Sequence, residues 1–298
     1  METERIKYNG WQNCMRLSNK EVELIVTADV GPRIIRFAFV GERNVLGEIA
    51  DQAGGTGETE WMIRGGHRLW IAPEEKPKSY ELDNTAISIE EIPCGIRTTQ
   101  EPGNLTHVEK SMEINLASDT NDVTLKHVLT NRGKTSITLA PWALTVMALR
   151  GTAIIPMPKH VPHTDRLTHN QEWSLWGYTD LSDPRWKLGP KYIMFRQDPT
   201  KGPNKLGIAH REGWVAYLLD EFAFIKRYVH VERAQYPDGG VSFETFSNEE
   251  ILELESIGPL TTLKHGQSVR HEERWSLHRH IPVCGTEAEI DSHVLPLA

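Results

Sequence analysis

A chain of 298 residues, 39% hydrophobic and 25% charged, is long enough to bury a substantial core and is unlike a disordered or collagen-like composition. Thirty-three Lys plus Arg against 41 Asp plus Glu leave a formal charge of −8 with no basic stripe, which excludes nucleic acid as the expected partner. The longest apolar stretch, Ile137 to Leu149, is interrupted by Pro141 and falls short of the roughly 20 residues of a spanning helix, so no membrane span is expected.

The opening METERIKYNGWQNC has no basic n-region, apolar h-region or small-residue cleavage site, and the expected location is cytoplasmic. Cys14, Cys94 and Cys284 are odd in number and unpatterned, as in reduced thiols. Short alternating segments follow at Glu21–Val26 and Ile34–Val40, separated by the turn signal Ala28–Pro32, and read as strands. Asp51 to Lys78 is rich in glycine and charge and reads as irregular. Within it lies Arg64-Gly-Gly-His67-Arg68-Leu-Trp70-Ile-Ala-Pro-Glu74-Glu75. Here glycines permit close backbone approach, His67 exchanges protons near neutrality, Arg68 donates from a fixed fork and Trp70 offers a flat apolar face. That mixture suits a sugar, with one apolar ring face and a rim of hydroxyls.

Ile87–Glu90, Val123–Leu129 and Ile137–Leu139 continue the strand pattern, with a turn at Thr130–Gly133. Pro156 to Arg185 reads as a long loop carrying His160, His163, His169 and Asp165. Their spacing could supply metal ligands, but no cysteine or helical framework fixes the geometry, so no metal is expected; His160 or His163 facing a ligand is the stronger expectation. Of Trp173, Trp176 and Trp186, one is expected at a ligand and the others in packing. Tyr192–Phe195 is a further strand, and Pro203-Asn-Lys205-Leu-Gly supplies a cation.

Late in the chain, Glu244 precedes Ile251-Leu-Glu253-Leu-Glu255. On a strand Glu253 and Glu255 share one face and Leu252 and Leu254 the other, which suits either an exposed sheet face or a concave one where a carboxylate serves as general base. Val269–Leu277 is the last strand, and Ile281 to Ala298 reads as a tail. No phosphate loop, dinucleotide fingerprint or nucleophile elbow is present, and no cofactor is expected. Many short strands with almost no helical periodicity indicate an all-β sandwich or barrel, and the absence of any linker indicates a single domain over residues 1–298.

The segments Asn13–Asn19, Glu21–Ile35, GGHRLWIAPE, APWALTVMA and ELESIGPLTTL together resemble a bacterial group within the galactose mutarotase-like, aldose 1-epimerase superfamily. The resemblance implies a β-supersandwich with a carbohydrate site on its concave face. It also implies acid–base chemistry at the anomeric centre, with a histidine protonating the ring oxygen and a glutamate removing the anomeric hydroxyl proton. The glutamate maps onto Glu255, with Glu253 and Glu244 as alternates. The family's Asn-His-x-Tyr-Phe-Asn stretch has no counterpart histidine in Leu139–Met147, so the acid falls to His67 or His160. Arg68 and Lys205 become clamps that favour an acidic sugar, and Trp70 the stacking face. Two other functions fit the residues: sugar binding without turnover, and glycoside cleavage by Glu74 or Glu75 opposite Glu255.

Overall fold

The computed structural model describes residues 1–298. Two large antiparallel sheets face one another. The first runs Glu2–Tyr8, Trp11–Ser18, Val22–Thr27, Arg33–Phe39, His67–Ala72, Ile137–Met147, Leu252–Ile257, Phe243–Ser247, Asn204–Ile208 and Trp173–Leu175, with Thr261–Leu263 paired to the start of Ile137–Met147. The second is built on Phe222–Tyr228, Ser268–His278, Asp122–Asn131 and Val108–Leu116, flanked by shorter strands on both sides. The architecture is the expected all-β sandwich, and no helix is long and apolar enough to cross a membrane.

Alternation explains the layering. Leu24, Val26, Leu69, Ile71, Leu252 and Leu254 from the first sheet meet Phe224, Trp275, Leu277, Leu125 and Leu129 from the second in one apolar cluster of 42 buried residues. At roughly 25 cal/mol per Å² of apolar area this burial is the main stabilising term. A polar seam runs through the same interior. Lys226, wholly buried, lies 2.9 Å from Glu273 and donates to the carbonyls of Leu254 and Ala143.

Two expectations change. The segment Asp51–Lys78 contains the central strand His67–Ala72, which alternation did not reveal because both its faces are buried. The tail ends in a helix, Glu287–His293, started by a capping box in which the Thr286 hydroxyl accepts from the Glu289 amide and the Glu289 carboxylate accepts from the Thr286 amide. Ile290, Val294 and Cys284 pack it on Ile154, Met194 and Ile225 of the second sheet. The signal was legible as Thr-x-x-Glu before Ile290.

Gly65 and Gly66 turn the chain into the central strand with φ of +91° and +67°. A Cβ at Gly66 would stand 2.2 Å from the Ile34 carbonyl oxygen. Gly66→Ala is therefore expected to lower unfolding stability by at least about 1 kcal/mol, measured by urea denaturation.

Candidate functional site

The pairing register assembles the site on the outer face of the first sheet. Arg68 stands opposite Leu144, Leu144 opposite Glu255, and Glu255 opposite Glu244. To one side Trp70 pairs Trp142; to the other Glu253 pairs Phe246, which pairs Lys205. Period-two alternation sends all of these to the face opposite the apolar core.

A cleft of about 300 Å³ lies over them, within the size range of small-molecule sites. Arg68, Trp70, Glu74, Lys205, Glu253 and Glu255 line it together with Trp61, Tyr80, Trp142, Leu144, Tyr178 and Phe246. Trp61, Trp70 and Tyr80 meet edge to face, with ring centroids 4.8 to 5.5 Å apart. The Trp61 loop is held from behind by Arg33, which donates to the carbonyls of Ile63 and Gly65 and pairs with Asp83 at 2.8 Å.

The floor is ionic. Arg68 Nη1 lies 2.9 Å from Glu253 Oε1, both side chains buried. Lys205 Nζ lies 2.6 Å from Glu244 and 3.6 Å from Glu255. Glu255 Oε2 accepts from Trp142 Nε1 at 3.0 Å, while Oε1 has no hydrogen-bond partner. Burial pushes the Glu255 carboxyl up to about 7 against the pull of Lys205, and burial raises Glu244 likewise. Burial opposes the Lys205 charge, yet Glu255 and Glu244 hold its pKa above the ordinary value. The three titrate as a unit, and the proton exchanged near neutrality belongs to the Glu244–Glu255 pair, of which Glu255 alone lines the cleft.

His67 lies elsewhere, which corrects the expectation that it serves as the acid. It occupies the inner face of its strand, without solvent access, 2.7 Å from His127 Nε2 and 2.8 Å from Thr145 Oγ1. His127 Nδ1 donates to the His271 carbonyl, so its Nε2 accepts from His67 Nε2 and His67 Nδ1 accepts from Thr145. Burial holds both rings' pKa values below the ordinary histidine range. His67, His127 and Glu273 are close enough to share a metal ion. The Lys226 ammonium beside Glu273 and the protein partners already on each ligand atom disfavour a cation there.

His160 and His163 are exposed in the 157–170 segment and do not line the cleft, because the loop that carries them joins strands at another edge of the sandwich. His160 borders a separate depression with Lys159 and Trp214. Glu244 is wholly buried behind Lys205, so it positions the cation and does not itself reach the cleft. Glu75 is exposed and paired with Lys78, whereas Glu74 lines the cleft and accepts from the Tyr80 hydroxyl. Among the three tryptophans, Trp176 covers Lys205, Trp173 packs against the core, and Trp186 stacks on Phe195 in the second sheet. Trp61, Tyr80, Tyr178 and Phe246 went unread in the sequence, since three of them sit in loops that carry no periodicity.

No family profile and no curated protein matches the sequence, but solved structures match it in three dimensions. A galactose mutarotase-like protein from Lactobacillus casei superposes with a TM-score of 0.60 at 10% identity over 89% of this chain and 100% of its own. The fold is galactose mutarotase-like. A second galactose mutarotase-like protein, from Clostridium acetobutylicum, gives a TM-score of 0.59 at 7% identity over 93% and 98% of the two chains. A galactose mutarotase related enzyme from Lactobacillus acidophilus gives 0.54 at 10% over 90% and 98%. Within this galactose mutarotase-like fold, Leu144 and Trp142 occupy the cleft-facing positions of Ile137–Met147, a strand that carries no histidine.

A buried carboxyl whose pKa is raised on folding keeps its proton in the folded state and loses it in the unfolded chain. Its contribution is therefore fully present below the unfolded value, near 4.3, and disappears as pH rises through about 7. Glu255→Gln is expected to raise Tm relative to the wild type at pH 8 and to leave the two closer at pH 5, as measured by calorimetry across that range.

Proposed function

We propose that this protein binds a sugar in the Glu255 cleft and acts at its anomeric centre, with Glu255 accepting the anomeric hydroxyl proton. The observation that carries the reading is the free Oε1 of a carboxyl poised near 7, on the floor of a cleft walled by Trp61, Trp70 and Tyr80. Aromatic faces suit the axial C–H side of a pyranose, and the fold shared with galactose mutarotase-like proteins supports the same ligand class.

In this reading the Glu255 carboxylate takes the O1 proton while the Lys205 ammonium, 3.6 Å away, donates to the ring oxygen. The C1–O5 bond breaks as the carbonyl forms at C1; after rotation about C1–C2, O5 attacks C1 and gives its proton back to the neutral Lys205 amine while Glu255 returns its proton to O1, which yields the other anomer and restores both groups. Arg68 is fixed by Glu253 as a hydroxyl donor at the rim.

A second reading, binding without turnover, is favoured by the absence of any histidine among the residues lining the cleft. Glycoside cleavage by Glu74 and Glu255 would use the same carboxyl pair that lines the cleft.

NMR exchange spectroscopy with neutral and amino aldoses and simple glycosides separates the three. Epimerase action predicts accelerated α/β exchange that falls at least about 100-fold in Glu255→Gln, the range removed with a general base. Ligand line broadening without exchange would establish a binding protein, and released sugar a glycosidase. Trp70→Ala is expected to raise KM more than it lowers kcat, because a stacking face serves ground and transition states alike.

A further inference from the structure

Resting on the sugar reading of the cleft, the charges that surround it address which sugar it takes. Arg68 and Lys205 alone suggest an anionic ligand, and that was the expectation from sequence. Their charge is already committed. The Arg68 guanidinium is paired with Glu253 and lies over the rings of Trp70 and Trp61, 4.7 and 5.3 Å from their centroids. The Lys205 ammonium is paired with Glu244 and Glu255 and lies over Trp176 and Trp142 at 4.6 and 4.9 Å.

Carboxylates outnumber cations here. Glu74, Glu253 and Glu255 line the cleft against Arg68 and Lys205, and Glu244 adds a further carboxyl directly behind Lys205. Glu74 accepts only the Tyr80 hydroxyl, and Glu255 Oε1 accepts nothing although Glu255 is almost wholly buried. The unfilled capacity is therefore for hydrogen-bond donors and positive charge. A carboxylate or phosphate entering would meet the exposed Glu74 carboxylate and disfavour ionisation of Glu255, while an ammonium would pair with the first and favour ionisation of the second. Aromatic faces at Trp61, Trp70 and Tyr80 add attraction for a cation.

We infer that the cleft selects an amino sugar, its ammonium held among Glu74 and Glu255, over the neutral parent sugar, and rejects uronic acids and sugar phosphates. The hydroxyls would fall to Arg68, Lys205 and the outer edge of Tyr178.

The test is isothermal titration calorimetry of the full chain at pH 7 and low salt. Ligands are glucosamine, galactosamine and mannosamine, their neutral parents, their N-acetyl derivatives, the corresponding uronic acids and the 6-phosphates. At least one amino sugar is expected to bind about tenfold or more tighter than its parent and its N-acetyl form, a difference of about 1.4 kcal/mol. Uronic acids and phosphates are expected to bind more weakly than the parents. Glu74→Gln and Glu255→Gln, checked for folding by circular dichroism, should each shrink the ratio of amine to neutral-parent affinity, and an unchanged ratio in both overturns the inference. Equal binding of amine and parent, or a uronic acid or phosphate binding at least as tightly as its parent, overturns the inference and leaves the sugar reading standing. No binding by any of the sugars overturns both.

Discussion

An ammonium group shut away from water governs how the sandwich is built. Lys226 projects from the second sheet into the interior, where the desolvation of one unpaired charge would cost several kcal/mol. It is held by Glu273 at 2.9 Å and by the carbonyls of Leu254 and Ala143, which belong to the two central strands of the first sheet. The requirement that this charge be satisfied ties the sheets together at one register. Leu254 lies between Glu253 and Glu255, so the same contact fixes the backbone that presents both cleft carboxylates.

Glu273 and Glu255 show how environment divides one residue type into two roles. Glu273 receives Lys226, the Ser256 hydroxyl and Trp275 Nε1, and against the upward push of burial the Lys226 ammonium, with the nearby histidines, holds its carboxyl well below the usual range. Glu255 shares its cation with Glu244 and has a single hydrogen-bond donor, so burial prevails and its proton is retained toward neutrality. The first is a structural anion locked between sheets. The second is a carboxyl facing an open cleft. His67 belongs with Glu273: its ring is part of the interior network that closes the gap between the sheets, and Thr145 and His127 use both its nitrogens.

Much of the fold was legible in the chain. Glu21–Val26, Ile34–Val40, Val123–Leu129 and Val269–Leu277 all fall on strands; the last two alternate because one face meets the core and the other is more exposed, whereas the first two are buried on both faces and show their period through Glu23 and Arg36, which pair with each other on the outer one. The strand His67–Ala72 escaped notice because His67, Leu69 and Ile71 fill the interior while Arg68, Trp70 and Ala72 are buried in the cleft layer, so no polar face remained to reveal the period. The helix at Glu287 was missed although its capping box stood in the sequence, since seven residues are too few to show a 3.6-residue periodicity.

Sequence by itself determined that Glu253 and Glu255 share a sheet face, because side-chain direction along a strand is fixed by local geometry. It also determined that the middle strand brings no histidine to that face. Only the tertiary structure decided that these faces form one cleft, that His67 points away from it, and that Arg68 and Lys205 arrive with their charges already neutralised. Those outcomes depend on which distant strands pair and in what register, and a one-residue slip would exchange the cleft and core sets completely. Neither alternation nor composition carries that pairing information, so the character of the site emerged with the sheet.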